Sequence, residues 1–343
     1  MKKRAVAKSS LVLSEIAFGC GGNAGLMVRG TAIEQERAVA RALDLGITYF
    51  DNSPDYGEGR AEEALGRALK ALKASPLLNS KVEIRAENLG DIAGHVVAST
   101  EGSLRRLGVD HLDVLQIHNG PSAHPVKLAG RVYARLALDD YLRPGGAVEG
   151  VERLLRAGKV RYAGFICRGA DGAEVRQVLA TGVFRLINVP YTLLNPTAGR
   201  AMVSDPAGLK PFDRDYGQVI DAAHEAGAGA AIYSPLSGGF LTDEFADDTA
   251  GHPLARPARG SNDVIARTRS KVQALRFLRD ATGLTMAQAA IRFILMHPRV
   301  TTVLGGFSSI EQMEAIVAAA DAPAFDAEVM ARLEAAWGNN FAL

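Results

Sequence analysis

Short runs of apolar residues alternate along the chain with longer stretches in which apolar positions recur with helical spacing. Runs of three to six apolar residues bounded by glycine or polar residues are typical of buried strands. The pattern predicts eight strands, at 16–18, 47–50, 82–86, 112–117, 160–165, 186–189, 230–233 and 301–304. It predicts eight helices, at 35–45, 60–72, 92–107, 148–157, 172–180, 216–226, 265–282 and 309–320.

Glycines separate several predicted helices from the strands that follow them, as at Gly46, Gly158 and Gly227. A glycine in the left-handed conformation ends a helix and turns the chain back towards a strand. Eight such units predict an α/β protein folded as one (β/α)8 TIM barrel over residues 1–343. The main rival is a doubly wound open sheet. Its glycine-rich phosphate loop is matched only in part by residues 19–23, which no helix follows at once.

Composition and charge exclude several classes of partner. The chain has 343 residues, with 39 Lys and Arg against 38 Asp and Glu, so it lacks the basic excess that nucleic acids and anionic membranes require. No signal peptide and no apolar stretch of about 18 residues is evident, which predicts a cytoplasmic protein without membrane spans. The two cysteines, Cys20 and Cys167, are interpreted as buried hydrophobes, and no metal site is expected. The oligomeric state is left open.

Polar residues follow the predicted strands at their carboxyl ends. Asp51 and Tyr56 come after the second strand, and His118 comes after the fourth. Because active sites of barrels lie at the carboxyl ends of the strands, a carboxylate, a phenol and an imidazole at this rim predict acid–base chemistry. Long spacers at 119–147, 192–214 and 234–263 emerge on the same face, and loops of this length are usually functional or disordered.

At these residues the sequence resembles the aldo-keto reductase family. The stretch GITYFDNSPDYGEGRAEEALGRALK resembles the family signature, in which an aspartate and a tyrosine lie five residues apart. Further similar stretches are LRRLGVDHLDVLQIH, GKVRYAGF, VPYTLLNP, AIYSPLSGGFLT and TTVLGGFSSIEQMEA. The resemblance implies a barrel that binds NADPH, or NADH, and reduces a small carbonyl compound. It implies Tyr56 as the general acid, His118 as the group that orients the carbonyl, and Asp51 in the supporting charge network.

The resemblance also predicts a departure from the family pattern. The family has a lysine at the end of the third strand, and the alignment of VEIRAENLG places Glu87 there. On that alignment Lys81 lies at the wrong end of the strand, about 20 Å away. A carboxylate beside Tyr56 would raise the pKa of the phenol. Arg85 shares a strand face with Glu87, so it is a candidate to pair with Glu87, Asp51 or both. The alternative is that the alignment is shifted and that Arg85 and Glu87 form a pair at the surface.

The same resemblance gives a set of expected cofactor residues. These are Asn188, Tyr233, Ser234, Leu236, Gly238, Gly306, Ser308 and Gln312. Tyr233 would stack on the nicotinamide, and the loop after it would wrap the pyrophosphate. The family's Ser-Asn pair after the fifth strand is replaced by Ile166 and Cys167, and positions 307–310 contain no basic residue to hold a 2′-phosphate.

Three functions fit these observations. The first is an NAD(P)(H)-dependent reductase or alcohol dehydrogenase that acts on a small, sugar-like carbonyl or alcohol. The second is the same scaffold with elimination or isomerisation chemistry, in which Glu87 acts as a base. The third is a non-catalytic barrel that binds a nucleotide or a partner protein as a sensor or channel-associated subunit.

Overall fold

A computed structural model describes residues 1–124, 126–128, 134–201, 214–247 and 262–342. Parts of all three long spacers lie outside these ranges. The chain contains two short strands, β1 (Lys3–Ala5) and β2 (Val12–Ser14), ahead of the barrel. The barrel strands are β3 (Ile16–Gly19), β4 (Tyr49–Asp51), β5 (Leu77–Val82), β6 (Leu112–Ile117), β9 (Val160–Ile166), β10 (Phe184–Val189), β11 (Gly229–Ile232) and β12 (Val300–Gly306). Two short strands, β7 (Pro121–Ser122) and β8 (Leu136–Ala137), pair with each other outside the barrel.

The eight barrel strands are parallel and follow one another in chain order around a closed ring. The ring closes where β12 pairs with β3, with Val303 opposite Ile16 and Gly306 opposite Gly19. Gly19 is required at this closure, because a Cβ atom on it would lie 2.9 Å from the carbonyl oxygen of Gly305. The predicted (β/α)8 barrel is therefore confirmed, and the open-sheet alternative is excluded.

Helices surround the ring and bury their apolar faces against it. They are α1 (Leu26–Arg29), α2 (Ala32–Asp44), α3 (Arg60–Leu72), α4 (Ile92–Leu107), α5 (Leu138–Leu142), α6 (Ala147–Arg156), α7 (Gly172–Leu179), α8 (Val219–Ala226), α9 (Asp243–Ala246), α10 (Asn262–Ala274), α11 (Phe277–Thr282), α12 (Met286–Met296), α13 (Ile310–Ala318) and α14 (Ala327–Gly338). Thr31 begins α2 with a capping box: its hydroxyl accepts from the backbone N–H of Glu34, whose carboxylate accepts from the N–H of Thr31. No described helix has the length and apolar character needed to cross a membrane.

The β1–β2 hairpin covers the amino-terminal end of the barrel. Its apolar side chains, including Leu13, join a cluster with the interior residues Tyr49, Val114 and Leu186. Arg4 fastens the hairpin to the far end of the chain by donating to the carbonyl oxygens of residues 295, 297 and 300, at 2.7–3.1 Å. Among the described residues, the hairpin therefore closes the amino-terminal end of the barrel.

The observed elements differ from the predicted ones at several places, among them the short helices α1, α5 and α9 and the short strands β7 and β8, which were not predicted. The third strand is β5, which ends at Val82, where the predicted strand began. The helix predicted at 265–282 is two helices, α10 and α11. The β1–β2 hairpin and the helices α12 and α14 were not predicted. Cys20 and Cys167 are buried as expected, and burial raises the pKa of both thiols.

Candidate active site

Three neighbouring barrel strands carry polar side chains to one part of the barrel mouth. Asp51 is the last residue of β4, Lys81 is the penultimate residue of β5, and His118 directly follows β6. Tyr56 lies in the turn after β4, where its backbone N–H donates to the carbonyl of Ser53. The predicted residues Asp51, Tyr56 and His118 are thus brought together, and Lys81 lies among them.

Lys81 is the centre of this arrangement. Its ammonium group donates to Asp51 Oδ2 at 2.8 Å, to the backbone carbonyl of Asn52 at 2.7 Å and to Tyr56 Oη at 3.1 Å. The Lys81 side chain is 1% exposed. Burial acts to lower the pKa of Lys81, but the charge of Asp51 and the Tyr56 oxygen outweigh it and raise the pKa above its ordinary value. The lysine is therefore a buried cation, paired with Asp51 and in contact with the phenol oxygen.

The placement of Glu87 beside Tyr56 is wrong. Glu87 lies in a 3₁₀ turn, Ala86–Asn88, beyond the end of β5, and its side chain is exposed. The chain leaves the barrel wall after Val82, five residues before Glu87, so the Glu87 side chain does not face the barrel interior. Lys81 occupies the position that had been given to Glu87. Arg85 pairs with neither Glu87 nor Asp51; its guanidinium contacts Asp55 at 2.7 Å.

The misplacement has a physical cause in the composition of β5. Positions 79–81 of this strand are Asn, Ser and Lys, all buried and all hydrogen-bonded, so apolar periodicity does not mark the strand. Asn79 donates to Asp51 Oδ1 at 2.6 Å and fixes the carboxylate that holds Lys81. The apolar pair Leu77–Leu78, which follows Pro76, is the feature of the sequence that indicates where this strand starts.

His118 is held as a neutral imidazole. Burial lowers the pKa of His118 to about 4, and the nearby Lys81 charge adds to this effect, although Asp55 opposes it. Its Nδ1 lies 3.5 Å from both Ser53 Oγ and Asp55 Oδ2. The ring meets the Tyr56 ring edge to face, with centroids 6.2 Å apart. Phenol and imidazole therefore share one small volume at the mouth.

A second cluster of titratable groups lies against His118. Asp55, Glu83 and His118 each have one potential metal-ligand atom, and these three atoms lie within 4.8 Å of one another, a separation that a metal ion could bridge. The Arg85 guanidinium lies 2.7 Å from Asp55 Oδ1 and 3.9 Å from Glu83 Oε2. A positive charge is thus already supplied to these carboxylates by a side chain. The sequence pattern singles out neither Asp55 nor Glu83 as a site residue.

The expected nicotinamide-side residues lie on the other half of the mouth. Tyr233 directly follows β11, and burial raises the pKa of its phenol. The Arg168 guanidinium lies 5.8 Å from the centre of the Tyr233 ring. Asn188 is buried within β10, where its Oδ1 accepts from Gln116 Nε2 at 2.6 Å. Among the described residues, the buried Gln116 Oε1 has no hydrogen-bond partner.

The loop after Tyr233 contains several residues with a left-handed backbone. Ser234, Ser237 and Gly238 have φ angles of 50°, 51° and 76°, in the left-handed region. Successive turns of this kind direct backbone N–H groups into a concavity that binds phosphate groups. Leu236 is partly buried in the loop, and its carbonyl accepts from the N–H groups of Gly239 and Leu241.

The end of β12 leads into the capped start of α13. Gly306 is exposed, and Ser309 caps α13 by accepting from the N–H of Gln312 at 3.3 Å. Ser308 Oγ donates to Gln312 Oε1 at 2.6 Å, so the predicted pair Ser308 and Gln312 is in contact. The amino end of a helix favours negative charge. Tyr233, the loop that follows it and the start of α13 contain the residues that the family resemblance assigns to the cofactor.

Comparison with known proteins agrees with the fold and the motifs. The model of the Aldo/keto reductase family matches residues 15–338. L-glyceraldehyde 3-phosphate reductase of Escherichia coli O157:H7 is 27% identical over 97% of this chain and 92% of its own. L-galactose dehydrogenase of Arabidopsis thaliana is 24% identical over 97% of this chain and 93% of its own. The holo form of an aldo-keto reductase from Bacillus halodurans superposes with a TM-score of 0.69, at 23% identity over 98% of this chain and 96% of its own.

The (β/α)8 barrel and the polar cluster at its carboxyl end define an oxidoreductase scaffold. The family match covers nearly the whole chain, so the protein belongs to the aldo/keto reductase family.

Proposed function

We propose that the protein is an NAD(P)H-dependent reductase of small carbonyl compounds, with Tyr56 as the general acid. The observation that carries this proposal is the contact of 3.1 Å between Lys81 Nζ and Tyr56 Oη, made by a lysine that is itself paired with Asp51. A phenol with an ordinary pKa near 10 is a poor acid at neutral pH, and an adjacent cation favours its ionised form.

Each residue of the polar cluster has its own role in the proposed proton transfer. When bound, NAD(P)H supplies a hydride to the carbonyl carbon. Tyr56 donates its proton to the carbonyl oxygen as negative charge develops there, and Lys81 stabilises the phenolate that remains. Asp51 and Asn79 hold Lys81 in place. Neutral His118 orients the carbonyl without adding a competing charge.

We propose NADPH as the cofactor and retain NADH as an alternative. Tyr233 would stack on the nicotinamide, with Asn188 beside it. Ser234, Leu236 and Gly238 would surround the pyrophosphate, while Gly306, Ser308 and Gln312 would lie along the adenosine phosphate. Residues 307–310 include no basic side chain, so we expect less than about 10-fold preference for NADPH.

The alternative of altered chemistry depended on Glu87 as a base near Tyr56. That carboxylate is exposed on the turn beyond β5, which removes the reason for the alternative. A non-catalytic barrel would not need a buried lysine in contact with a phenol. The ion pair of Asp51 and Lys81 therefore favours the enzyme.

Fluorescence titration with NADPH and with NADH, followed by turnover of 4-nitrobenzaldehyde, tests the proposal. We expect binding of at least one dinucleotide and reduction of the aldehyde. The variant Tyr56→Phe should bind the dinucleotide normally but lose at least about 100-fold in kcat, because general acid catalysis contributes about 10²–10⁴. Failure of both dinucleotides to bind, or full activity of the variant, would refute the assignment.

A further inference from the structure

Gln116 lies in the barrel wall between the proton-transfer residues and the residues expected to hold the cofactor. It is the penultimate residue of β6, and its neighbour in the pairing with β5 is Lys81. Its neighbour on the other side is Gly164 of β9. Gln116 is fully buried, and the proton transfer proposed above gives it no role.

Gly164 allows the Gln116 side chain to reach across β9 to the strand beyond it. A Cβ atom on Gly164 would lie 3.0 Å from Gln116 Cγ and 3.2 Å from Gln116 Nε2, so the glutamine lies directly over this glycine. Gln116 Nε2 donates to Asn188 Oδ1 on β10 at 2.6 Å. The hydrogen bond thus joins β6 to β10 over the strand that separates them.

This hydrogen bond fixes the orientation of the Asn188 amide. A side-chain amide has one acceptor oxygen and one NH2 group with two donors. Because Oδ1 of Asn188 accepts from Gln116, its Nδ2 group is directed away from Gln116. The neighbour of Asn188 on β11 is Ala231, whose methyl group accepts no hydrogen bond. A molecule beside Asn188 at the barrel mouth would therefore meet its donors and not its acceptor.

The other half of the Gln116 amide argues against a role in stability alone. Among the described residues, Gln116 Oε1 is buried without a hydrogen-bond partner. A buried acceptor that lacks a partner destabilises a fold, and an apolar side chain of similar volume would avoid this cost. The hydrogen bond to Asn188 is the contact that a glutamine provides here and that an apolar residue would lose.

We propose, as a deepening of the proposed function on which it rests, that Gln116 is a positioning residue for the cofactor. By holding Oδ1 of Asn188, it directs Nδ2 of Asn188 to donate to the carbonyl oxygen of the nicotinamide carboxamide. Ile166, which lies opposite Asn188 on β9, has an apolar side chain and cannot make this contact. The site therefore recognises the carboxamide through its oxygen and not through its NH2 group.

Dinucleotide analogues that differ only at the carboxamide test this orientation through binding alone. The acetylpyridine analogue keeps the carbonyl and has a methyl group in place of NH2, whereas the thionicotinamide analogue has sulfur, a weaker acceptor, in place of the oxygen. Isothermal titration calorimetry with the oxidised dinucleotides gives each Kd, in the NAD⁺ or NADP⁺ series, whichever binds more tightly. We expect the acetylpyridine analogue to bind within about threefold of the parent and the thionicotinamide analogue at least about fivefold more weakly than the parent, because one hydrogen bond changes an equilibrium constant by about 2–10-fold.

The variant Gln116→Met removes the donor and keeps a side chain of similar length. The Asn188 amide can then turn over and accept from the NH2 group, so the ratio of the thionicotinamide Kd to the parent Kd should fall by at least about twofold. A merely structural role of Gln116 would weaken all three dinucleotides equally and leave this ratio unchanged. Gln35→Met is the matched control, because Gln35 is a buried glutamine on α2, outside the barrel, that donates to the carbonyl of Met27 at 3.1 Å. It should not change the ratio.

Three outcomes would overturn the inference while the parent dinucleotide still binds and the proposed function stands. They are an acetylpyridine analogue that binds more than about threefold more weakly than the parent, a thionicotinamide analogue that binds as tightly as the parent, and a ratio that is the same in Gln116→Met and the wild type. Failure of every dinucleotide to bind would remove the proposed function, and this inference with it. The wild-type comparison decides the orientation of Asn188 even where Gln116→Met fails to fold.

Discussion

Replacement of Lys81 by methionine separates the catalytic and structural roles of the buried ion pair. Lys81→Met keeps the approximate volume of the side chain but removes the cation 3.1 Å from Tyr56 Oη and 2.8 Å from Asp51 Oδ2. We expect kcat for 4-nitrobenzaldehyde to fall by at least about 100-fold, since a cation in contact shifts a pKa by about 1–3 units and general acid catalysis depends on it.

The same substitution should destabilise the fold. Asp51 is 4% exposed, so its carboxylate would remain buried, with Asn79 as its one remaining side-chain partner among the described residues. Loss of one partner of a buried pair costs about 3–5 kcal/mol. The double variant Lys81→Met/Asp51→Asn removes both charges, and we expect it to recover most of this stability without recovering activity.

Urea unfolding measures the stability of the two variants, and fluorescence titration measures their dinucleotide affinity. Glu87→Gln is the control, because Glu87 is exposed and should change kcat less than about twofold. Activity of Lys81→Met within about threefold of the wild type would refute the role of the lysine. A double variant no more stable than Lys81→Met would refute the account of the buried charge.

Three further predictions concern other parts of the molecule. The pKa of His118 is about 4 in the fold, below its ordinary value of 6.5, so the contribution of His118 to stability is complete above pH 6.5 and declines as the pH falls towards 4. Between pH 7 and pH 5, the wild type should lose about 2 kcal/mol more unfolding free energy than His118→Gln. Equal losses for the two proteins in urea unfolding would contradict this prediction. Gly305→Ala would place a Cβ atom 2.4 Å from the Phe307 ring, which packs against Phe18. The substitution should therefore lower the unfolding free energy by about 1–3 kcal/mol and weaken dinucleotide binding. The control variant Gly338→Ala, with no atom within 4 Å of the added Cβ, should have neither effect. Thr31→Ala removes the hydroxyl of the capping box and should lower the unfolding free energy by about 1 kcal/mol, whereas Thr31→Ser should remain close to the wild type. If Thr31→Ala loses less stability than Thr31→Ser, the hydroxyl does not cap the helix.

The fold was predictable because most of its strands are apolar and its helices amphipathic. Helices α3 and α4 have the predicted bounds, and β6 does as well. Periodicity failed at β5 because the inward side of a barrel strand near the mouth carries polar residues that bond with one another. The hydrophobic pattern predicts that the polar residues Asn79 and Lys81 are exposed, although both are buried.

The site was predictable only where residues lie close in sequence. Asp51 and Tyr56 belong to one turn, and His118 ends an apolar strand. The partnership of Lys81 with Asp51 spans 30 residues, and it depends on the pairing of β4 with β5, which sets Asp51 opposite Asn79. Arg85 and Asp55 also come from different strand ends. Such contacts follow from the register between strands, which a single sequence does not contain.

The attachment of Arg4 has a consequence for the order in which the protein can form. Its guanidinium bonds to carbonyl groups 291–296 positions further along the chain, and the ring of strands closes by the pairing of β12 with β3. During synthesis, the hairpin must therefore wait for residues 295–300 before the floor of the barrel is complete. Contacts of such long sequence separation slow folding. Until residue 300 leaves the ribosome, the apolar side chains of this segment, Leu11 and Leu13 among them, lack the cover that the closed barrel gives them.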